Sequence, residues 1–167
     1  MTVHQLIESD LAAEHRRATT EVNRWRGHCV DCFARIELSV VEALDVMIAS
    51  KRKAALKRTP MFKQRIDMMN LALKDEAFGK HVRLSRKALA DLAPALSRRN
   101  VLVHGVGQVW IGRGGMWLWH YRFRTNAIGQ PEDAGAIDSI EAAKMEQMLS
   151  SNCRRLGDTL QNLVRDL

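Results

Sequence analysis

The sequence predicts a mainly α fold: an up-and-down bundle of four to five helices with a β-hairpin inserted at about 106–124, all on one domain covering residues 1–167. Three observations predict it. Apolar residues recur in steps of three and four along most of the chain, the spacing of a buried helix face. Only between Val106 and Arg124 does the pattern change to period two. Finally, 167 residues are enough for one self-sufficient core, and the chain has no internal repeat at about 20 to 50 residues.

Taken in order, Val3, Ile7 and Leu11 mark a short amphipathic helix over Val3 to Arg17. A second, longer helix is read from Val22, Trp25, Cys29, Cys32, Ile36, Val40, Ala43 and Met47, ending near Ser50. The basic run Lys51 to Arg58 leads to Thr59-Pro60, a good N-cap followed by a good first helical residue. Phe62, Ile66, Met69 and Leu73 then give a third helix, which Gly79 separates from a fourth. The fourth carries Val82, Leu89, Leu92, Leu96 and Val103 and ends at Gly105. Pro94 lies inside it and, lacking an N–H, is expected to kink or divide it near Ala90 to Pro94.

In the hairpin, Val109, Trp110 and Ile111 precede the turn-prone Gly112-Arg113-Gly114-Gly115. Beyond it, Trp117, Trp119, Tyr121 and Phe123 alternate with Leu118, His120, Arg122 and Arg124. Residues 125–137 read as a loop. Asp138 followed by Glu141 resembles a capping box and starts a last helix over about Ser139 to Arg165. Leu149, Cys153, Leu156, Leu160, Leu163 and Leu167 form its stripe.

Apolar residues at 46% and charged residues at 27% are ordinary globular usage, and no run approaches the roughly 18 apolar residues of a membrane span. The first residues lack the basic and apolar regions of a signal peptide, so a cytoplasmic protein without a membrane role is expected. Three cysteines then read as reduced thiols. The net charge of +7 is unevenly spread. Residues 51–91 carry twelve basic and four acidic side chains, and residues 92–131 carry five basic and none acidic. The two ends are acidic. A basic middle suits a polyanion, because Lys and Arg displace counterions from phosphates; it equally describes a solvated face on a basic protein.

The chemistry-bearing segment is Arg99-Asn100-Val101-Leu102-Val103-His104. On a helical wheel from Leu96, Val103 falls on the buried stripe, Asn100 at its edge, and His104 one turn beyond Asn100. Arg99 projects from the opposite flank, with a side chain long enough to bend round. His104 stands where the chain leaves the helix at Gly105.

An Arg followed by Asn and, after four intervening residues, a His resembles the diagnostic element of the HEPN superfamily, and His104-Gly105 resembles its common ending. The likeness extends over about residues 20–165, and the hairpin after the histidine departs from it as an insertion. The resemblance implies a four- or five-helix bundle and a homodimer in which two motifs meet in a cleft that cuts RNA without cofactor or metal. It implies catalytic roles for Arg99, Asn100 and His104, in an endoribonuclease of the toxin or defence type, with an antitoxin-type protein as a possible restraining partner. The alternatives are a non-catalytic HEPN-like RNA-binding or protein-interaction module, and a helical interaction protein dimerising through its C-terminal leucines. A His at a helix end is also often only a cap.

Arg98, His120, Arg122 and Arg124 are candidate substrate-binding residues. The aromatic row 117–123 reads as packing, or as a stacking surface for bases; the face bearing His120, Arg122 and Arg124 is then outward. Cys29 and Cys32 form a CxxC that reads as core rather than as a metal or redox pair. Glu37 either sits in solvent or reaches Arg99 or His104.

Overall fold

A computed structural model describes residues 3–50, 61–74, 81–124 and 133–167. The chain is mainly α with an inserted antiparallel hairpin. Its elements are α1 (Val3–Ala49), α2 (Phe62–Ala72), α3 (His81–His104), β1 (Val106–Ile111), β2 (Trp117–Phe123), β3 (Asp133–Asp138) and α4 (Ser139–Arg165). Among the described residues, no helix is long and apolar enough to cross a membrane. The residues group into two compact units, 1–30 with 98–147, and 31–97 with 148–167.

The first unit joins the start of α1, the end of α3, the sheet and the start of α4. Ala18, Val22, Trp25 and Cys29 step by four, three and four along α1, and all are buried. Trp25 meets Trp117 at 5.8 Å and Trp119 at 6.0 Å between ring centroids. The sheet has the order β1-β2-β3, with both pairings antiparallel. In register, Val109 pairs with Trp119 and Trp119 with Ile137, so these three share one face. Trp119 and Ile137 are buried on that face, as the aromatic row predicted for packing. Gly114 and Gly115 take φ of 76° and 77° in the β1–β2 turn, a left-handed conformation that glycine adopts without a Cβ clash.

The second unit packs the rest of α1 with α2, α3 and α4. Ile36, Val40 and Met47 of α1, Met69 and Leu73 at α2, Leu89 and Leu92 of α3, and Leu149, Leu156, Leu160 and Leu163 of α4 are buried. Burying a large apolar side chain contributes about 1.5–3 kcal/mol, so this set dominates the unit's stability. The C-terminal leucine stripe is therefore core; as a free dimer seam it is overturned. Polar ties stand beside it: Asn152 donates to Asp91 O at 3.3 Å, and Arg155 bonds the Asp91 carboxylate.

Four expectations are corrected. The first two helices are one, because the break expected between Arg17 and Val22 does not occur. Both threonine hydroxyls donate to carbonyls one turn back, His15 O at 2.8 Å and Arg16 O at 2.9 Å, so the helix absorbs two β-branched residues. Residues 133–137 are strand rather than loop, so the hairpin has a third strand. Of the two outcomes expected at Pro94, a kink or a division, the division is overturned: α3 runs through it as one helix, and the carbonyl left without a helical donor belongs to Ala90, an exposed residue. The α2 cap position falls on Met61, with no side-chain cap bond. Thr59-Pro60, the Lys51 to Arg58 run and Gly79 lie outside the described residues.

Candidate functional site

The last turns of α3 carry Arg99, Asn100 and His104. Val101 and Leu102 are the buried pair here, 3% and 1% exposed, while Leu96 and Val103 are half-buried. The wheel drawn through Val103 is thus corrected by rotation toward Val101 and Leu102. Asn100 and His104, one turn apart, are both exposed. Arg99 meets Asn100: its Nη1 donates to Asn100 Oδ1 at 3.3 Å.

What ends the helix is a close approach. Gly105 N–H donates to Val101 O at 2.8 Å, and a Cβ at Gly105 would lie 2.3 Å from that oxygen. Only a residue without a side chain fits there.

The last carbonyls of α3 are held from α1. Arg26 Nη2 donates to Leu102 O and to Gly105 O, both at 2.9 Å, and its Nε donates to Leu102 O at 3.2 Å. The same guanidinium lies 4.4 Å from the centroid of the Trp119 ring. Helix C-terminal carbonyls carry partial negative charge, and a planar fork satisfies two of them at once. Burial pushes the Arg26 pKa down from its usual high value. The hydrogen bonds and the ring face offset that penalty.

His104 is oriented from the sheet. Its ring stacks with Phe123 at 6.4 Å between centroids and an interplanar angle of 23°. Asp138 Oδ1 accepts from Ile140 N–H at 2.9 Å and Glu141 N–H at 2.7 Å, so the expected cap of α4 is present. Arg98 donates to the Glu141 carboxylate at 2.6 Å. Its charge is thereby matched within the protein, unlike the open cation expected of a substrate contact. Nearby, burial raises the Tyr121 pKa, with Asp133 adding to the effect.

Of the other candidates, His120 and Arg122 are exposed on the side of β2 opposite Trp119, and Arg124 is exposed just beyond it. Trp110 contacts His120 edge-on at 5.9 Å. Glu37 is neither in open solvent nor placed at the motif: it forms an ion pair with Arg65 in the second unit, both about a quarter exposed. Cys29 and Cys32 are buried as core residues. Burial raises the thiol pKa of Cys32 and of Cys153, whose Sγ donates to Cys32 O at 3.5 Å. Among the described residues, no three His, Cys, Asp or Glu are grouped to hold a metal ion.

Two residues at this site carried no readable functional signal. Arg26 reaches its carbonyls across 76 and 79 positions of sequence. Phe123 stood in the aromatic row, read as packing or as a base-stacking surface and not as a neighbour of His104.

Chemically, the last turns of α3 offer an imidazole for proton transfer, a guanidinium for an anion and a carboxamide bonded to that guanidinium. Compared with protein-family models, with curated proteins and with solved structures, the chain finds no match in any of the three.

Proposed function

We propose that the chain is a HEPN-type endoribonuclease of the toxin or defence kind, acting in the cytoplasm as a homodimer that cuts RNA without a metal ion. The observation that supports this most is the Arg99 guanidinium bonded to Asn100, one turn from an exposed His104 at a helix end. RNA supplies its own nucleophile, so the protein needs only to move protons and stabilise charge.

In the proposed reaction His104 accepts the proton of a 2′-OH as that oxygen forms a bond to the adjacent phosphorus. Arg99 lies against the non-bridging oxygens, where charge builds, with the paired bonds a guanidinium makes to phosphate. The bond from phosphorus to the 5′-oxygen breaks, and that oxygen takes a proton from the imidazolium of the second copy of the motif. A 2′,3′-cyclic phosphate and a 5′-hydroxyl result. Asn100 orients Arg99. An antitoxin-type protein covering this helix end is the proposed restraint.

A non-catalytic RNA-binding module is the second reading, favoured by the exposed His120, Arg122 and Arg124, which hold a phosphate backbone without any chemistry. The test is cleavage of a labelled RNA by purified protein in excess EDTA, with the ends identified. Cyclic phosphate ends are expected, and Arg99→Ala and His104→Ala should each slow cleavage by roughly 10²-fold or more. Cleavage at the wild-type rate by the double variant sinks the proposal. RNA binding with no cleavage replaces it by the second reading.

A further inference from the structure

The proposed site leaves unused the face of the sheet turned away from Trp25. Register puts Val106 opposite Arg122, Gln108 opposite His120, and Trp110 opposite Leu118, all on this outer face. On the other side of β2, Ala136 pairs with His120 and Ala134 with Arg122. The small residues of β3 leave a shallow hollow of about 710 Å³, bordered by Val106, Gln108, His120 and Arg122. Trp110 is 57% exposed and Val106 66% exposed. An indole left this open on a strand whose other face packs normally is unusual, because aromatic side chains bury large areas when they serve the core.

Charge selects the occupant. Among the described residues of β1, β2 and β3, Asp138 is the carboxylate that register puts on this face, and it is engaged as the cap of α4. His120, Arg122 and Arg124 supply the remaining ionisable groups along β2, and residues 92–131 contain no Asp or Glu at all. The surface therefore combines an open π-face with donors and cations on a floor of small residues. A folded protein partner would need an acidic apolar patch to match it. Single-stranded RNA matches both features with its bases and phosphates.

We infer that the outer face of the sheet is a platform for single-stranded RNA, with a base stacked on Trp110 beside His120 and a phosphate held by Arg122. From the Trp110 pair to the Arg122 pair is four residues of strand, about 13 Å. The Arg122 end is the rim where Phe123, the next residue, stacks on His104 from the inner side. A strand crossing the face and turning over Arg122 and Arg124 is delivered to the helix end. The inference rests on the proposed function for that delivery, and it assigns unpaired RNA as the substrate class; the platform itself is tested separately.

The test uses the full chain and a labelled 12-nucleotide RNA carrying 2′-O-methyl groups, which binds but has no nucleophile. Trp110→Ala should weaken binding about 5- to 150-fold, the range for loss of one stacked base. Arg122→Ala should lower the salt slope by about 0.7, one phosphate contact on a single strand. The same sequence annealed to its complement should bind more weakly than the single strand. Leu71→Ala, exposed on α2 in the second unit, should change none of these. Unchanged affinity in Trp110→Ala overturns the platform, even if His104-dependent cleavage stands. Loss of self-association in Trp110→Ala with RNA affinity unchanged also overturns it, assigning the face to a second copy. Trp110-dependent binding without any cleavage of ordinary RNA keeps the platform and removes the ribonuclease.

Discussion

Replacing Arg26 by Ala removes the clamp on the end of α3, and the cost follows from what is left behind. Leu102 O and Gly105 O lose their donors, and both residues are buried, so water reaches these oxygens poorly. An unsatisfied buried carbonyl costs about 1–3 kcal/mol, and loss of a cation over a partly desolvated ring about 0.5–2 kcal/mol. Since one carbonyl is freed enough to rehydrate as the helix end frays, the expected loss is about 2–4 kcal/mol. For a chain of this length that lowers Tm by roughly 4–16 °C. Arg26→Lys keeps the charge but loses the fork, and should fall about midway. Urea unfolding gives the free energies, and amide exchange at Gly105 gives the local effect. If the helix end is what suffers, exchange at Gly105 accelerates more than at Leu89 in the other unit, and RNA cleavage falls although no motif residue has changed. A loss below about 0.5 kcal/mol with unchanged exchange would refute the reasoning, because it would mean the carbonyls are solvated without Arg26.

Phe123→Ala removes the ring that stacks on His104, and should lower kcat with little change in KM; a KM effect alone would mean the ring contacts RNA instead. Asp138→Ala removes the cap of α4 and should cost about 0.5–2 kcal/mol in urea unfolding, with Asp138→Asn nearly neutral. Arg155 and, next, Lys87 hold the Asp91 carboxyl below its usual pKa, so its contribution is present above the unfolded value of about 3.9 and is lost as pH falls through the lower folded value. Urea midpoints measured from pH 7 down to pH 3 should therefore fall less steeply in Asp91→Asn than in the wild type.

Helical periodicity made most of the fold legible, because a stripe that steps by three and four has few other ways to be buried. It failed where local cues opposed the longer pattern. The stripe of Val3, Ile7 and Leu11 reads as a separate short helix ending at Arg17, yet α1 runs on through Thr19 and Thr20, whose hydroxyls find carbonyls within the same helix. β3 is Asp-Ala-Gly-Ala-Ile-Asp, poor in the residues that favour strands, and only Ile137 is buried. Its place is set by pairing with β2, where the Tyr121 ring lies close over Gly135, too close for a Cβ there. Such a strand exists through its neighbour and leaves little trace in its own letters. At the site, Arg99, Asn100 and His104 were legible as a local motif, whereas the residues that hold them were not. Arg26 acts through backbone oxygens, and a backbone oxygen has no identity in sequence.

One residue, Gly105, separates the histidine that ends α3 from the first residue of β1. A link so short ties the backbone at His104 to the start of β1, and the stack on Phe123 sets its ring against β2 of the same sheet. The protein thus carries its own spectroscopic reporter, since the carbon-bound ring protons of His104 sit between a helix end and the π-cloud of Phe123, whose ring current shifts their resonances. If RNA occupies the proposed platform, a shift of these resonances on titration is the expected readout at a single side chain, without any attached label.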